Sequence, residues 1–356
     1  MENFVYTGMP ARVVFGDGAL ARVGDELTRL GARRVLVITT PHQAADGRAL
    51  AANLSAHDPS LYAGAVMHTP VDVTEQALEV VRERGVDCLV ALGGGSTIGL
   101  AKAIALRTDL PQVAVPTTYA GSEMTPILGE TRDGVKTTQK SMKVLPEVVI
   151  YDVGLTMTLP AGLSGTSGIN AIAHCVEALY AQEANPIIAM LAEQGIAALG
   201  RALPGIALDP GDRAARSDAQ YGAFLAGACL GAVGMALHHK LCHTIGGTFD
   251  LPHAETHTIV LPHALAYNAP AVPKAAATVA VALGVADAPG GLFDLAGKVG
   301  ARRALRDIGM PESGIDRATD LALANPYWNP RPLERDGIRA LIARAWAGEE
   351  PSVPAA

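Results

Sequence analysis

DCLVALGGGSTIGLAKAIAL, residues 87–106, runs from an unbroken apolar stretch through three glycines into a helical pattern. Strand, glycine turn and helix in that order is the repeating unit of a parallel α/β sheet, because parallel neighbours need a crossover and a helix supplies it. The same rhythm extends to either side. RVLVIT (34–39), QVAVPT (112–117) and EVVIYD (147–152) are further apolar strand candidates, and VTEQALEVVRERG (73–85) between them has helical period. Strands this continuously apolar predict a mainly parallel sheet covered on both faces. After LTMTLPAGLSG (155–165) the strands stop. GINAIAHCVEALYAQ, PIIAMLAEQGIAALGRAL and ARSDAQYGAFLAGACLGAVGMALHHKL are long, Ala/Leu-rich and helical in period. The chain therefore reads as an α/β nucleotide-binding domain over residues 1–160 and an all-α domain over residues 161–356. A cleft between two such domains is the default place for a ligand.

Composition narrows the function classes. The 356 residues are 49% hydrophobic and 18% charged, with net charge −7. No basic stripe appears, which argues against a nucleic-acid partner. No apolar run reads as long enough to cross a bilayer, and the N-terminal MENFVYTGMPARVVFG does not read as a signal peptide. Cys88, Cys175, Cys229 and Cys242 are far apart and lack CxxC spacing, so they read as reduced thiols of a cytoplasmic protein.

Gly93, Gly94, Gly95 and Ser96, at a strand end and a helix start, offer backbone N–H groups and positive potential to a pyrophosphate. A tight turn needing glycine would look the same. VPTTYAGSEM (115–124) leaves another strand with Thr117, Thr118 and Ser122, hydroxyls that suit a nucleotide or a helix cap. Two such loops at strand ends of an open sheet point to a nucleotide. RVLVIT ends in Thr39 and Thr40, with no acidic residue to grip a ribose 2′-hydroxyl and exclude a 2′-phosphate. The expectation is that NADH and NADPH are both accepted.

LHHKLCHTIGGTFDLPHAETHTIVLPH (237–263) holds six of the ten histidines. Residues four apart share a helix face, so Asn170 with His174, and His239 with His243, each present two polar groups to one point. His253 follows after a glycine-rich turn. A lone histidine is more often a hydrogen-bonded structural residue than a functional one; the paired spacing shifts that balance. His238 faces away from His239 and reads as packing or surface, and His257 and His263 stay outside the expected site, His263 in a loop or helix start.

GGGSTIGLAKAIA, PTTYAGSEMTP, SGINAIAHCVEALYA and HHKLCHTIGGTFDLPHAETHTIVLPHALAYN strongly resemble the iron-containing alcohol dehydrogenase superfamily. PTTYAGSEMTPILGET and LCHTIGGTFDLPHAETH resemble its maleylacetate reductase branch, and the likeness covers nearly the whole chain. It implies the dehydroquinate synthase-like fold of that superfamily, a nicotinamide cofactor, a homodimer, and reduction of the C=C bond of maleylacetate to 3-oxoadipate in aromatic-compound degradation. It also implies site residues. His174, His239 and His253 match the three histidines that hold a metal in relatives, and His243 matches a histidine close to nicotinamide and substrate. The fourth metal ligand of those relatives is an aspartate, and here Asn170 stands in its place. A neutral amide is a poor substitute for a carboxylate on a cation, although three imidazoles alone can hold zinc. The expectation is a weak or absent metal, with His174, His239 and His253 kept as hydrogen-bond donors to an enolate and to a carboxylate, and His243 as the proton donor. Lys240, Arg132, Lys136, Lys140 and Arg331 are candidates for the substrate carboxylates, though each reads equally as a solvated charge. The alternatives are a metal-dependent alcohol or aldehyde dehydrogenase, a lyase or cyclase on the same fold, and a non-catalytic nucleotide-binding protein.

Overall fold

The structure, a computed structural model, describes residues 4–9, 12–132, 134–325 and 327–353, without the side chains of Val135 and Lys136. The chain forms two compact units, Gly8–Leu159 and Pro160–Ala356, the latter joined by residues 4–7.

The first unit is the α/β body. Its strands are β1 (Arg12–Gly16), β2 (Val35–Ile38), β3 (Ser60–Tyr62), β4 (Cys88–Gly93), β5 (Gln112–Pro116), β6 (Ile127–Arg132), β7 (Val135–Lys140) and β8 (Val148–Asp152). Six pair in the order β1-β8-β5-β4-β2-β3, every pairing parallel. β2, β4, β5 and β8 are buried throughout, which is why their sequences are apolar without alternation. Helices α1 (Val23–Leu30), α2 (Ala44–Asn53), α3 (Val71–Arg84) and α4 (Gly95–Thr108) supply the covers. Val23, Leu27, Leu50 and Leu54 close one face, and Leu78, Val81, Ile98 and Ile104 the other. The chain runs from β2 outward to β3, then returns to place β4 on the other side of β2. This reversal opens a crevice at the carboxyl ends of β2 and β4, the usual ligand position in such sheets.

The edge strands β1 and β3, and an antiparallel hairpin of β6 and β7, were not anticipated from the sequence. β3 is only three residues long, and the hairpin strands alternate with polar residues of mixed exposure. The stretch that carries Arg132, Lys136 and Lys140 is this hairpin, with Arg132 and Lys140 exposed.

The second unit is helical: α5 (Ala161–Ala178), α6 (Pro186–Leu208), α7 (Arg213–Ala232), α8 (Leu237–Phe249), α9 (His253–Asn268), α10 (Pro273–Leu283), α11 (Ala288–Lys298), α12 (Gly314–Ala324) and α13 (Arg335–Ala347). Local chemistry sets the starts. Asn185 accepts the N–H groups of Ile187 and Ile188 ahead of Pro186, and Asp212 accepts those of Ala214 and Ala215. α5 packs on α6, α7 and α9, and α9 on α8, α11 and α13. Fully buried Arg216 reaches from α7 to Ser164 Oγ of α5 at 2.7 Å, tying down the helix that begins the site.

Two expectations are corrected. Pro186–Leu208 and Pro273–Lys298 are long and apolar enough to cross a membrane by length and composition, because alanine and glycine replace charges along them. In the fold, α6 packs against α5, α7 and α10. His263 lies inside α9, one residue past a proline that the helix accommodates, rather than in a loop.

Candidate functional site

In the α/β unit the glycine run bridges β4 and α4. Gly93 ends β4 at φ 156°, Gly94 caps α4 and Gly95 begins it. A Cβ at Gly93 would collide with Thr97 and Gln43, and one at Gly94 would come within 2.9 Å of Thr118. At Gly95 it would meet nothing within 4 Å, so the space above the helix start is open to a ligand. Gly93 and Gly94 are required by packing, while Gly95 leaves open space at the start of α4, where the backbone N–H groups of a helix favour an anion.

Thr117 belongs to this neighbourhood, since Gln43 Nε2 donates to its Oγ1 at 3.2 Å. Ser96, Thr118 and Ser122 are half-buried. Thr39, by contrast, is fully buried beside Gly47, its hydroxyl without a partner, and the half-buried Thr40 follows it. The Ser122 loop is pinned from below. Lys102, on α4 and completely buried, donates to the carbonyls of Ser122 (2.5 Å), Thr125 (2.7 Å) and Ile127 (2.9 Å) and to Thr125 Oγ1 (3.0 Å). Burial lowers Lys102 to about 7, opposed by the charge of Glu123. Sequence reading missed this lysine; GLAKAIA marks it only as a charge on an otherwise apolar helix.

In the helical unit, α5, α8 and α9 gather six imidazoles. His174 and His239 stack with ring centroids 5.2 Å apart. His239 and His243 are edge-on at 6.2 Å, and His243 and His253 lie near-parallel at 6.3 Å. His174 and His239 are buried, whereas His243 and His253 are exposed. Asn170 is buried too, and its Oδ1 has no protein partner. His174 Nδ1, His239 Nε2 and His257 Nε2 share that condition, which leaves four buried polar atoms for a ligand to satisfy.

His238 and His257 belong to the cluster, against expectation. His238 Nε2 lies 3.0 Å from His257 Nδ1, and both rings are edge-on to His239 at 5.0 and 5.1 Å. The helical offset between His238 and His239 is real, but α9 and Cys242 enclose the far side as well. Burial holds His174, His238 and His257 well below the ordinary imidazole value, with neighbouring rings adding to it.

Glu177 organises this group, and sequence reading passed over it. It is fully buried at the last turn of α5. Its carboxylate accepts the backbone N–H groups of Ala236 (2.9 Å) and His238 (2.7 Å), thereby capping α8 from another helix. It also takes His239 Nδ1 at 2.7 Å. An ionised carboxylate only accepts, so Nδ1 carries a proton and Nε2 of the neutral ring bears a lone pair. His239 is thus an N–H donor at Nε2 only when doubly protonated, a condition the earlier donor assignment left out. The available signal was spacing, since Glu177 lies one turn beyond His174 in AHCVE.

The family implies a metal ion here, and the donor set fits one poorly. Among the described residues, the set of three ligand atoms within 4.8 Å of one another is His238, Cys242 and His257; His174, His239 and His253 do not form such a set. Metal–nitrogen bonds of about 2.0–2.1 Å demand closer convergence than that. Asn170 adds no charge. The remaining substrate-contact candidates are placed as follows: Lys240 Nζ lies over the Tyr327 ring at 5.4 Å, and Arg331 over Tyr267 at 4.5 Å.

Comparison with known proteins agrees along the whole chain. Residues 10–153 match the family described as iron-containing alcohol dehydrogenase, and residues 164–346 match the C-terminal part of the Fe-containing alcohol dehydrogenase family. The maleylacetate reductase of Rhizobium sp. (strain MTP-10005) is 55% identical, covering 99% of this chain and 100% of that one. That of Sphingobium indicum is 56% identical, covering 98% and 99%. The crystal structure of maleylacetate reductase from Agrobacterium tumefaciens superposes with a TM-score of 0.96 at 53% identity, covering 99% of this chain and 100% of that one. The chain belongs to the iron-containing alcohol dehydrogenase family and, within that family of oxidoreductases, to the maleylacetate reductases.

Proposed function

We propose that this protein reduces the C=C bond of maleylacetate with NADH or NADPH, giving 3-oxoadipate in the breakdown of aromatic compounds, and that it does so with imidazoles in place of a metal. The observation that carries the reading is end-to-end identity above half with maleylacetate reductases, together with Asn170 at the aspartate position and four partnerless buried polar atoms, its own Oδ1 among them, in the histidine cluster.

Maleylacetate is a dicarboxylate whose ketone is conjugated to the double bond. The nicotinamide supplies the hydride, which adds to the carbon beta to the ketone. Charge then develops on the ketone oxygen. His239 is the residue for that oxygen: a second proton, on Nε2, is balanced by Glu177 behind it, and the ring then donates to an enolate. His174, held neutral by burial, and Asn170 complete the polar wall, with His253 at its exposed edge. His243, exposed and within a ring's width of His239 and His253, delivers the proton to the alpha carbon. Lys240, one residue beyond His239, is assigned to a substrate carboxylate. Gly95 and Ser96 at the start of α4, with Thr117, Thr118 and Ser122, form the pyrophosphate and nucleotide cradle. TTPHQ at residues 39–43 has no acidic side chain, which supports use of both cofactors.

The test is NADH and NADPH oxidation with maleylacetate before and after exhaustive chelation, metal content being confirmed by elemental analysis. Turnover unchanged without metal is the expected result. Turnover lost on chelation and restored by zinc or iron would return the metal to His174, His239 and His253. Reduction of simple aldehydes but not of maleylacetate would favour the alcohol dehydrogenase alternative. We also infer a cytoplasmic homodimer. Exposed Met190, Leu208 and Val281 offer apolar surface to a second copy, and light scattering after gel filtration tests the assembly.

A further inference from the structure

Helix α9 carries one more imidazole, six residues past His257 and so about 9 Å further along the axis. His263 is 3% exposed, and neither ring nitrogen has a partner. Its ring stands edge-on to Phe293 and forms part of the wall of a cavity of about 250 Å³. Among the described residues, two arginines line the same cavity and no carboxylate does. Arg331 is held in place, stacked on Tyr267 at 4.5 Å and donating one N–H to the Tyr267 carbonyl at 2.8 Å. Arg344, on α13, pairs with Glu349 at 3.1 Å, and its charge bears on His263. Burial, then Arg344, brings that imidazole down to about 4, so the ring is neutral and retains one donor and one acceptor. The Tyr267 ring, Ala340 and Leu341 give the wall its apolar part, and Ser352 adds one more polar residue. The volume falls short of the roughly 300–1,000 Å³ typical of drug-sized pockets, so the occupant is small.

We propose that this cavity binds a small monocarboxylate with an apolar body, the carboxylate held by Arg331 and Arg344 and the body lying against Tyr267 and Leu341. Planar guanidinium donors match a carboxylate: Arg331 brings its charge to the lining, and Arg344, bound to Glu349 through Nη1, has further N–H groups to offer. The site is separate from the assignment of the histidine cluster and does not depend on it.

Benzoate is the probe, with benzamide as its uncharged match, titrated calorimetrically into the full-length protein, into Arg344→Gln and into His174→Ala. The expected result is saturable benzoate binding, none with benzamide, and roughly tenfold weaker binding in Arg344→Gln, the loss of one charged hydrogen bond. His174→Ala should bind benzoate as the unaltered protein does. Any of four outcomes overturns the proposal. These are no saturable benzoate binding, equal binding of benzamide, unchanged affinity in Arg344→Gln, or loss of binding in His174→Ala, which would put the anion in the histidine cluster.

Discussion

Glu177 gives one carboxylate to two tasks, starting α8 and orienting His239, and the two can be separated by substitution. Glu177→Gln keeps an acceptor for the α8 N–H groups but removes the charge that balances a protonated His239. The expected outcome is a fall in kcat of roughly 10–100-fold, the range for outer partners of active histidines, with a loss of only about 1–2 kcal/mol in stability. Steady-state kinetics beside a urea denaturation would show it, and an unchanged kcat would remove Glu177 from the mechanism. This residue also marks how far single positions could be read. Asn170, His174, His239 and His253 announced themselves through spacing and through likeness to known motifs. Glu177 and His257 did not, because depth of burial depends on which helices meet, and that is not written in the spacing of any one helix.

At the scale of elements, the buried strands were the legible part. β2, β4, β5 and β8 are covered on both faces, so their sequences are plain apolar runs. β1 and β3 lie at the sheet edges, and β6 and β7 form a separate pair; their partly polar sequences blend with loops. The join between α4 and the loop after β5 was equally hidden, for it depends on one lysine meeting three carbonyls distant in sequence. Lys102→Met would take the lysine donor from all three carbonyls; the Ser122 carbonyl keeps the Thr125 N–H and hydroxyl, while those of Thr125 and Ile127 lose their side-chain donor. We expect a loss of about 3–5 kcal/mol in denaturation free energy. The KM for NADH should rise as Ser122 shifts. A variant as stable as the parent would mean that the loop holds its place without the lysine.

For the molecule as a whole, buried imidazoles set a limit on the acid side. His238 and His257 are held well below 6.5, and His263 is brought down to about 4. Unfolded histidines take up protons as pH falls through 6.5, while these stay neutral in the fold. The stability present above 6.5 is therefore lost as pH drops toward the folded values. The slope is about 1.4 kcal/mol per pH unit for each such group. Denaturant midpoints should fall from about pH 7 to about pH 5. Glu123, raised by burial, works in the opposite sense, so His263→Leu isolates the imidazole share: its profile should be flatter. An identical slope in that variant would refute the linkage. The four cysteines give the molecule a further property. All are free and buried; Cys88 lies in the α/β unit, and Cys175, Cys229 and Cys242 lie in the helical unit. Burial pushes Cys88 up to about 12 and raises Cys242 well above the ordinary thiol value, so little thiolate exists to react while the fold is closed. Each thiol is then a sealed reporter. Alkylation during gradual denaturation, read peptide by peptide in a mass spectrometer, would date the opening of each unit separately, with no label added to the protein.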